Sequence, residues 1–318
     1  MSFDTRPKGI SGSAVRRGDQ VFRGITRGAG IFILVLMASI AIFLFAKALP
    51  SFSHNSSNFF TEQSWLPDQN PPKFGIAALA FGTIVAAMIT MIVAVPVGIG
   101  ASLFITYYAP KKVSGPLAFL VDLLAAVPSI IFGMWGLQVL MPHMGGLAEW
   151  LNRYLGFVPL FKNPSELYTK SLFVAGIVLA IMVLPTISAI SREVFRQVPR
   201  SHVEASLALG ATRWEMIRMA VLPFGRAGII SAAMLALGRA LGETIAVALI
   251  LSALFEVNIH ITEPGGNTFA ANIALKWNEA GPNGLSALIA SGLVLFLITL
   301  LVNSIARAII ARRKEFVG

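Results

Sequence analysis

Six long uncharged windows leave this chain few ways to fold. They cover residues 28–46, 74–110, 114–141, 171–191, 227–255 and 280–306; Asp122 interrupts the third, and Arg239 and Glu243 the fifth. A bilayer core needs about 20 apolar residues per helix, so each window is read as one span. The second window is read as one helix with a bent or amphipathic extension beyond Pro96, because two spans would leave no room for a loop. The apolar residues run unbroken and do not alternate, which argues against a β-barrel. With 56% hydrophobic and only 13% charged residues, the composition excludes a water-soluble globule and intrinsic disorder alike.

The formal charge of +10 raises the question of nucleic acid. Sorting the 25 Lys and Arg residues onto alternate sides of the spans answers it. Eighteen fall on the side of the N-terminus, the 192–226 segment and the C-terminus; six fall opposite, and Arg239 lies inside a span. The acids show no such bias. Basic residues therefore report orientation, with both termini expected in the cytoplasm, and no nucleic-acid partner is implied. Residues 1–27 read as a cytoplasmic segment, 28–311 as the six-span domain and 312–318 as a cytoplasmic tail. Ala46-Lys47-Ala48 resembles a signal-peptidase site, but the apolar run before it is long for a signal peptide, so it is kept as a span.

With no cysteine and four scattered histidines, thiolate chemistry is excluded and no metal site is expected. No Gly-Lys pair exists among the nine lysines, so a phosphate-binding loop of the P-loop type is absent. The three external stretches (50–73, 142–170 and 256–283) are too short for separate domains, and Trp65, Trp150 and Trp277 in them read as interfacial anchors or loop core.

The segment 192–225 is the informative loop. Ser201 followed by Glu204, and Thr212 followed by Glu215, each spell a capping box. Gly210 stands where a first short helix needs a left-handed residue, and Pro223 is expected to stop or kink a second. Val203, Leu207, Trp214, Ile217 and Val221 are expected to face the membrane core of the protein. Taken alone, the loop is either structural or a partner-docking element.

Glu204-Ala205-Ser206, Gly210 and Leu222-Pro223 together resemble the EAA loop of ABC importer permeases. The family pattern is E-A-A-x3-G-x9-I-x-L-P, and this chain departs from it at Ser206 and Ala220 by small or apolar replacements. The resemblance implies an all-α, six-helix type I permease fold. It also assigns Glu204, Ala205, Gly210, Leu222 and Pro223 to coupling with an ATPase subunit.

Arg239 and Glu243 are four apart, a spacing at which they share a helix face and can pair. Charges inside a span are costly and usually face a bundle interior or a substrate path. Gly238 and Gly242 form a small-residue strip suited to helix packing. A structural ion pair and an anion-meeting site both fit these residues. Leu123–Gly136 and Gly238–Thr244 resemble permease subunits of phosphate-specific importers, a likeness that runs from Gly18 to the basic C-terminus. The long second external stretch and Met134-Trp135-Gly136 favour one of that system's two sister permeases. The resemblance implies a substrate path holding Asp122, Ser129, Arg239, Glu243 and Thr244. It implies as partners a second permease subunit, two ATPase subunits, an extracytoplasmic phosphate-binding protein, inorganic phosphate and the lipid bilayer of the bacterial inner membrane. No cofactor is expected in this chain; Mg-ATP belongs to the ATPase. Another oxyanion, such as sulfate or molybdate, or a secondary transporter using Arg239, Glu243 and Asp122 as ion groups, remains open at this level.

Overall fold

The computed structural model describes residues 17–314. Residues 1–16 and 315–318, parts of the expected cytoplasmic ends, lie outside the described residues. Helices α1 (Arg17–His54), α2 (Ala77–Leu103), α3 (Lys111–Ala125), α4 (Ser129–Trp135), α5 (Met141–Leu155) and α6 (Leu172–Arg196) precede the central loop. Helices α7 (Arg200–Ala208), α8 (Arg213–Met216), α9 (Leu222–Leu241), α10 (Ile245–Ile250), α11 (Phe269–Lys276) and α12 (Pro282–Lys314) follow. Six helical stretches are long and apolar enough to cross a membrane: Gln20–His54, Ala77–Tyr108, Ser129–Leu155, Leu172–Arg196, Arg213–Leu241 and Pro282–Ala308. The segment up to Ala46 is a compact unit of its own, and the rest of the chain forms a second.

The second unit is built on α2 against α6. Small residues let these helices approach closely. A side chain on Gly176 would overlap Ile89, and one on Gly98 would overlap Ile187. Thr90 Oγ1 donates to the Ala86 carbonyl at 2.8 Å and lies 3.1 Å from the Gly176 carbonyl of α6. Val178, Met182, Val183 and Ile187 are fully buried in this seam. The 55–76 segment folds on itself into a ledge that meets the 255–257 segment, where the Val257 N–H donates to Gln63 Oε1. Its two-residue strands β1 (Trp65–Leu66) and β2 (Lys73–Phe74) pair antiparallel. Trp65 is buried and stacks on Phe255, so it is loop core, whereas Trp150 and Trp277 are about half exposed, as interfacial residues are. In this ledge the Ser64 backbone N–H, then its hydroxyl, then Lys73, stabilise the Glu62 carboxylate and lower its pKa to about 2.

The third window departs from expectation. It is not one span over 114–141. Pro128, whose ring disfavours helix in the residue before it, separates α3 from α4, and the spanning stretch begins at Ser129. α3 is amphipathic and lies against α6, which explains why an acid, Asp122, is tolerated in so apolar a run. The fifth window departs too. Its helix starts earlier, at Arg213, and ends at Leu241. Pro223 does not stop it. A π turn over Ile217–Val221, in which the Leu222 N–H reaches the Ile217 carbonyl, absorbs the proline's missing donor and its clash with the preceding turn.

Candidate functional site

Three features of the second unit carry chemistry. The first is the fifth span's broken end. Gly242, a residue poorly suited to a helix interior, terminates α9, and α10 restarts at Ile245. The break turns α10 onto α4, where Gly133 is the residue that makes room: a side chain there would overlap Ala246. Helix continuity is therefore lost between Arg239 and Glu243, and the expected pair is not formed. Arg239 Nη1 instead contacts Thr186 Oγ1 of α6 at 3.4 Å, and the buried Glu243 carboxylate accepts the Ala246 N–H at 3.4 Å. Glu243 thus supports the start of α10. Thr244 Oγ1 donates to the Gly242 carbonyl at 3.1 Å, within the same break. Gly238 and Gly242 pack no other helix among the described residues: around Gly238 a side chain would meet nothing within 4 Å, and at Gly242 only the Gly238 carbonyl.

Arg239 lines an open cavity of ≈ 670 Å³. Thr186 of α6, Ser231 and Gly238 of α9, and Asn303 and Arg307 of α12 share its wall, and among the described residues no Asp or Glu does. Of the five residues expected on a path, only Arg239 reaches this cavity; Asp122, Ser129, Glu243 and Thr244 do not. Thr186, Ser231, Asn303 and Arg307 were not anticipated. Asn303 and Arg307 carried the only available signal, a polar residue in the sixth window four positions before the first charge after it, hence on one helix face.

The second feature is where Asp122 goes. Arg192 Nη2, on α6, donates to both Asp122 oxygens at 2.8 Å. The arginine side chain is 8% exposed and the aspartate 51%. Arg192 Nε and Nη1 and the hydroxyls of Ser188 and Ser191 are buried without a hydrogen-bond partner in the described protein. Among the described residues Asp122 is thus the one carboxylate that pairs with the buried Arg192 guanidinium, and the pair clamps α3 to α6. Removing one member of such a pair costs more than removing both, because it strands the other charge. Asp122→Asn is therefore expected to lower the melting temperature of the detergent-solubilised complex, with a cost of about 1–3 kcal/mol given the aspartate's exposure. Asp122→Leu combined with Arg192→Met is expected to melt closer to wild type than Asp122→Asn does.

The third feature is the loop between α6 and α9. Ser201 does not cap: α7 begins at Arg200 behind Pro199, whose fixed φ suits a helix entry, and Ser201 lies inside the first turn. Gly210, at φ +84°, closes α7 in a Schellman turn, its N–H on the Leu207 carbonyl and that of Ala211 on the Ser206 carbonyl. Thr212 and Glu215 form the capping box in both directions, at 3.3 and 2.7 Å. Met216, Ile217 and Val221 are buried with Leu103 and Phe195, and Val203 and Leu222 pack against that cluster. Leu207 and Trp214, expected to face inward, are exposed, and Leu209 is 90% exposed. Nothing on α7 is buried. Glu204 and Ala205 are exposed on it, as are Gly210 and Pro223 beyond it.

Six spans, a fifth span broken beside a basic cavity, and an exposed helix presented on a tethered loop define a multi-pass membrane permease that works with partner subunits. The chain belongs to the family of binding-protein-dependent transport system inner membrane components, which it matches over residues 94–315. It is a transport subunit of an ABC importer and not an enzyme. It is 47% identical over 313 residues to "Phosphate transport system permease protein PstC 2" of Mycobacterium tuberculosis, covering 97% of this chain and 94% of that one. It is 44% identical to PstC of Mycobacterium leprae, over 95% and 96% of the two chains. A chain of a bacterial alginate ABC transporter, crystallised with its alginate pentasaccharide-bound periplasmic protein, superposes with a TM-score of 0.50. That match covers 93% of this chain and 96% of the other at 17% identity, and so speaks to the fold alone.

Proposed function

We propose that this chain is one permease subunit of an ATP-driven phosphate importer. It forms half of the translocation path and is driven through the α7 loop. The observation that carries the substrate is the similarity at 47% identity over nearly the whole chain to phosphate permeases. The cavity supports it physically: an oxyanion crossing a low-dielectric path needs fixed positive charge, and a guanidinium stays protonated and offers a planar fork of donors. Among the described residues no carboxylate lines the cavity to compete for Arg239. The other oxyanions and the secondary-transporter reading are not favoured, the latter because an exposed α7 held on a tethered loop would have no use in a single-chain transporter.

The assembly pairs this chain with a second, sister permease, with two ATPase subunits that hold Mg-ATP, and with an extracytoplasmic phosphate-binding protein. The exposed Glu204, Ala205, Leu207 and Leu209 of the α7 region form the surface that docks on an ATPase subunit. Both termini and this loop are cytoplasmic, an orientation supported by the basic residues clustered on their side of the spans. The chain has no native cysteine, so single probes report topology directly. Cysteines at the exposed Gln69 and Ser165 are expected to react with an impermeant thiol reagent added outside intact cells, and one at Ser201 only after permeabilisation. External reaction at Ser201 overturns the orientation.

The function is tested by reconstituting the complex in proteoliposomes and following labelled phosphate and labelled sulfate. The expected result is ATP-dependent uptake of phosphate that requires the binding protein, with sulfate excluded. Equal sulfate uptake, or phosphate movement at a similar rate by this chain alone, overturns the reading.

A further inference from the structure

We infer that Arg307 is a second phosphate ligand on the path, and that Asn303 and Arg307 of α12 form with Arg239 a two-guanidinium station for the anion. The inference rests on the phosphate reading and names residues beyond it. Both arginines line the same ≈ 670 Å³ cavity. They come from different walls, Arg239 from α9 and Arg307 from α12, one residue before the sixth span ends at Ala308. Asn303 lies one turn before Arg307 on the same helix face, and Thr186 and Ser231 add hydroxyls from α6 and α9.

Charge makes the case. Two guanidiniums facing one cavity repel and give it a positive potential; Arg192, which is buried, is held by a carboxylate, whereas Arg239 is only partly buried and Arg307 is exposed, so both charges are open to an anion in the cavity. Among the described residues no carboxylate lines this cavity. An oxyanion with one to two negative charges relieves the repulsion, and each guanidinium can meet it through paired N–H donors. The open space where a side chain on Gly238 would stand lets the anion approach the α9 backbone beside Arg239. The cavity is far larger than one phosphate ion, so the two arginines act as successive contacts, with Arg239 deeper in the fold and Arg307 at the end of the span. Neighbouring sites of moderate strength let an ion enter and also leave, which a single tight site does not.

The test uses the assembled complex without nucleotide and a cysteine at Leu235, an exposed apolar residue of the same cavity wall that is no ligand. Its modification is read on this chain with an anionic and a neutral methanethiosulfonate of similar size. The anionic reagent is expected to react faster, and inorganic phosphate to slow both. Arg307→Gln is expected to lower the anionic-to-neutral rate ratio about fivefold, as removal of one nearby charge should, and to lower uptake about tenfold with co-purification of the partners intact. Arg307→Lys is expected to restore the rate ratio. An unchanged ratio in Arg307→Gln overturns the proposal, even if uptake falls, because the residue then acts only structurally. If Arg239→Gln abolishes uptake while Arg307→Gln matches wild type in both measurements, the second ligand is wrong and the phosphate path through Arg239 stands. If neither substitution affects uptake, both fall.

Discussion

Replacing Arg239 by glutamine is expected to abolish phosphate uptake, by about 100-fold or more, while the complex still assembles. A charge-assisted hydrogen bond to an ionised group is worth about 1.5–3 kcal/mol, and a bidentate contact more, so its loss in the path costs about two orders of magnitude. Arg239 is only partly buried, and its contact with Thr186 is long, so folding loses little. Arg239→Lys is expected to recover a minor part, because a compact ammonium does not reproduce the planar fork. The geometry also decides what Glu243 does. Because the helix ends at Leu241, Glu243 supports α10 and does not neutralise Arg239. Glu243→Gln keeps an oxygen acceptor for the Ala246 N–H and is expected to lower uptake only several-fold, in line with one neutral hydrogen bond of about 1 kcal/mol. The double variant should be no better than Arg239→Gln alone. Recovery in the double variant would mean the two residues act as an ion pair, and normal uptake by assembled Arg239→Gln complexes would remove Arg239 from the path.

The second large effect is at Gly210. A β-branched residue at φ +84° is strained, by about 1–2 kcal/mol or more, and the strain is relieved by opening the Schellman turn that sets α7 against α8. Open space surrounds the position, so the effect of Gly210→Val is conformational, not a clash within this chain. Uptake and substrate-stimulated ATPase activity are expected to fall together, by about tenfold, the equivalent of about 1.4 kcal/mol lost in docking. Thr212→Ala, which removes a cap worth about 1 kcal/mol, should act in the same direction and less strongly. Ser201→Ala should be silent, since Ser201 caps nothing. Pull-down of the ATPase subunit and uptake by the three variants distinguish these outcomes. Wild-type uptake by Gly210→Val would show that the loop does not transmit the stroke.

Gly210 and the Thr212–Glu215 box were legible beforehand because their physics is local: a left-handed residue and a reciprocal cap are specified within four or five positions. The six spans were legible because the bilayer imposes length and apolarity on each segment separately. Ser201–Glu204 looked equally good, yet Pro199 two positions earlier starts the helix and leaves that box unused.

What the sequence determined, then, is the solvent each segment lives in and the turns that one helix end demands. The side on which the basic residues gather follows from the same count. Tertiary structure decided which charges meet. Asp122 and Arg192 are 70 positions apart and pair only because α3 folds back on α6. Arg239 and Glu243 are four apart and do not pair, because the helix between them ends where α10 packs on Gly133. Arg307 joins Arg239 at one cavity only through the packing of α12 against α9. Helix periodicity assigns a residue to a face of its own helix; what that face meets depends on breaks and close approaches contributed by distant glycines and prolines, and those are settled only when the helices pack.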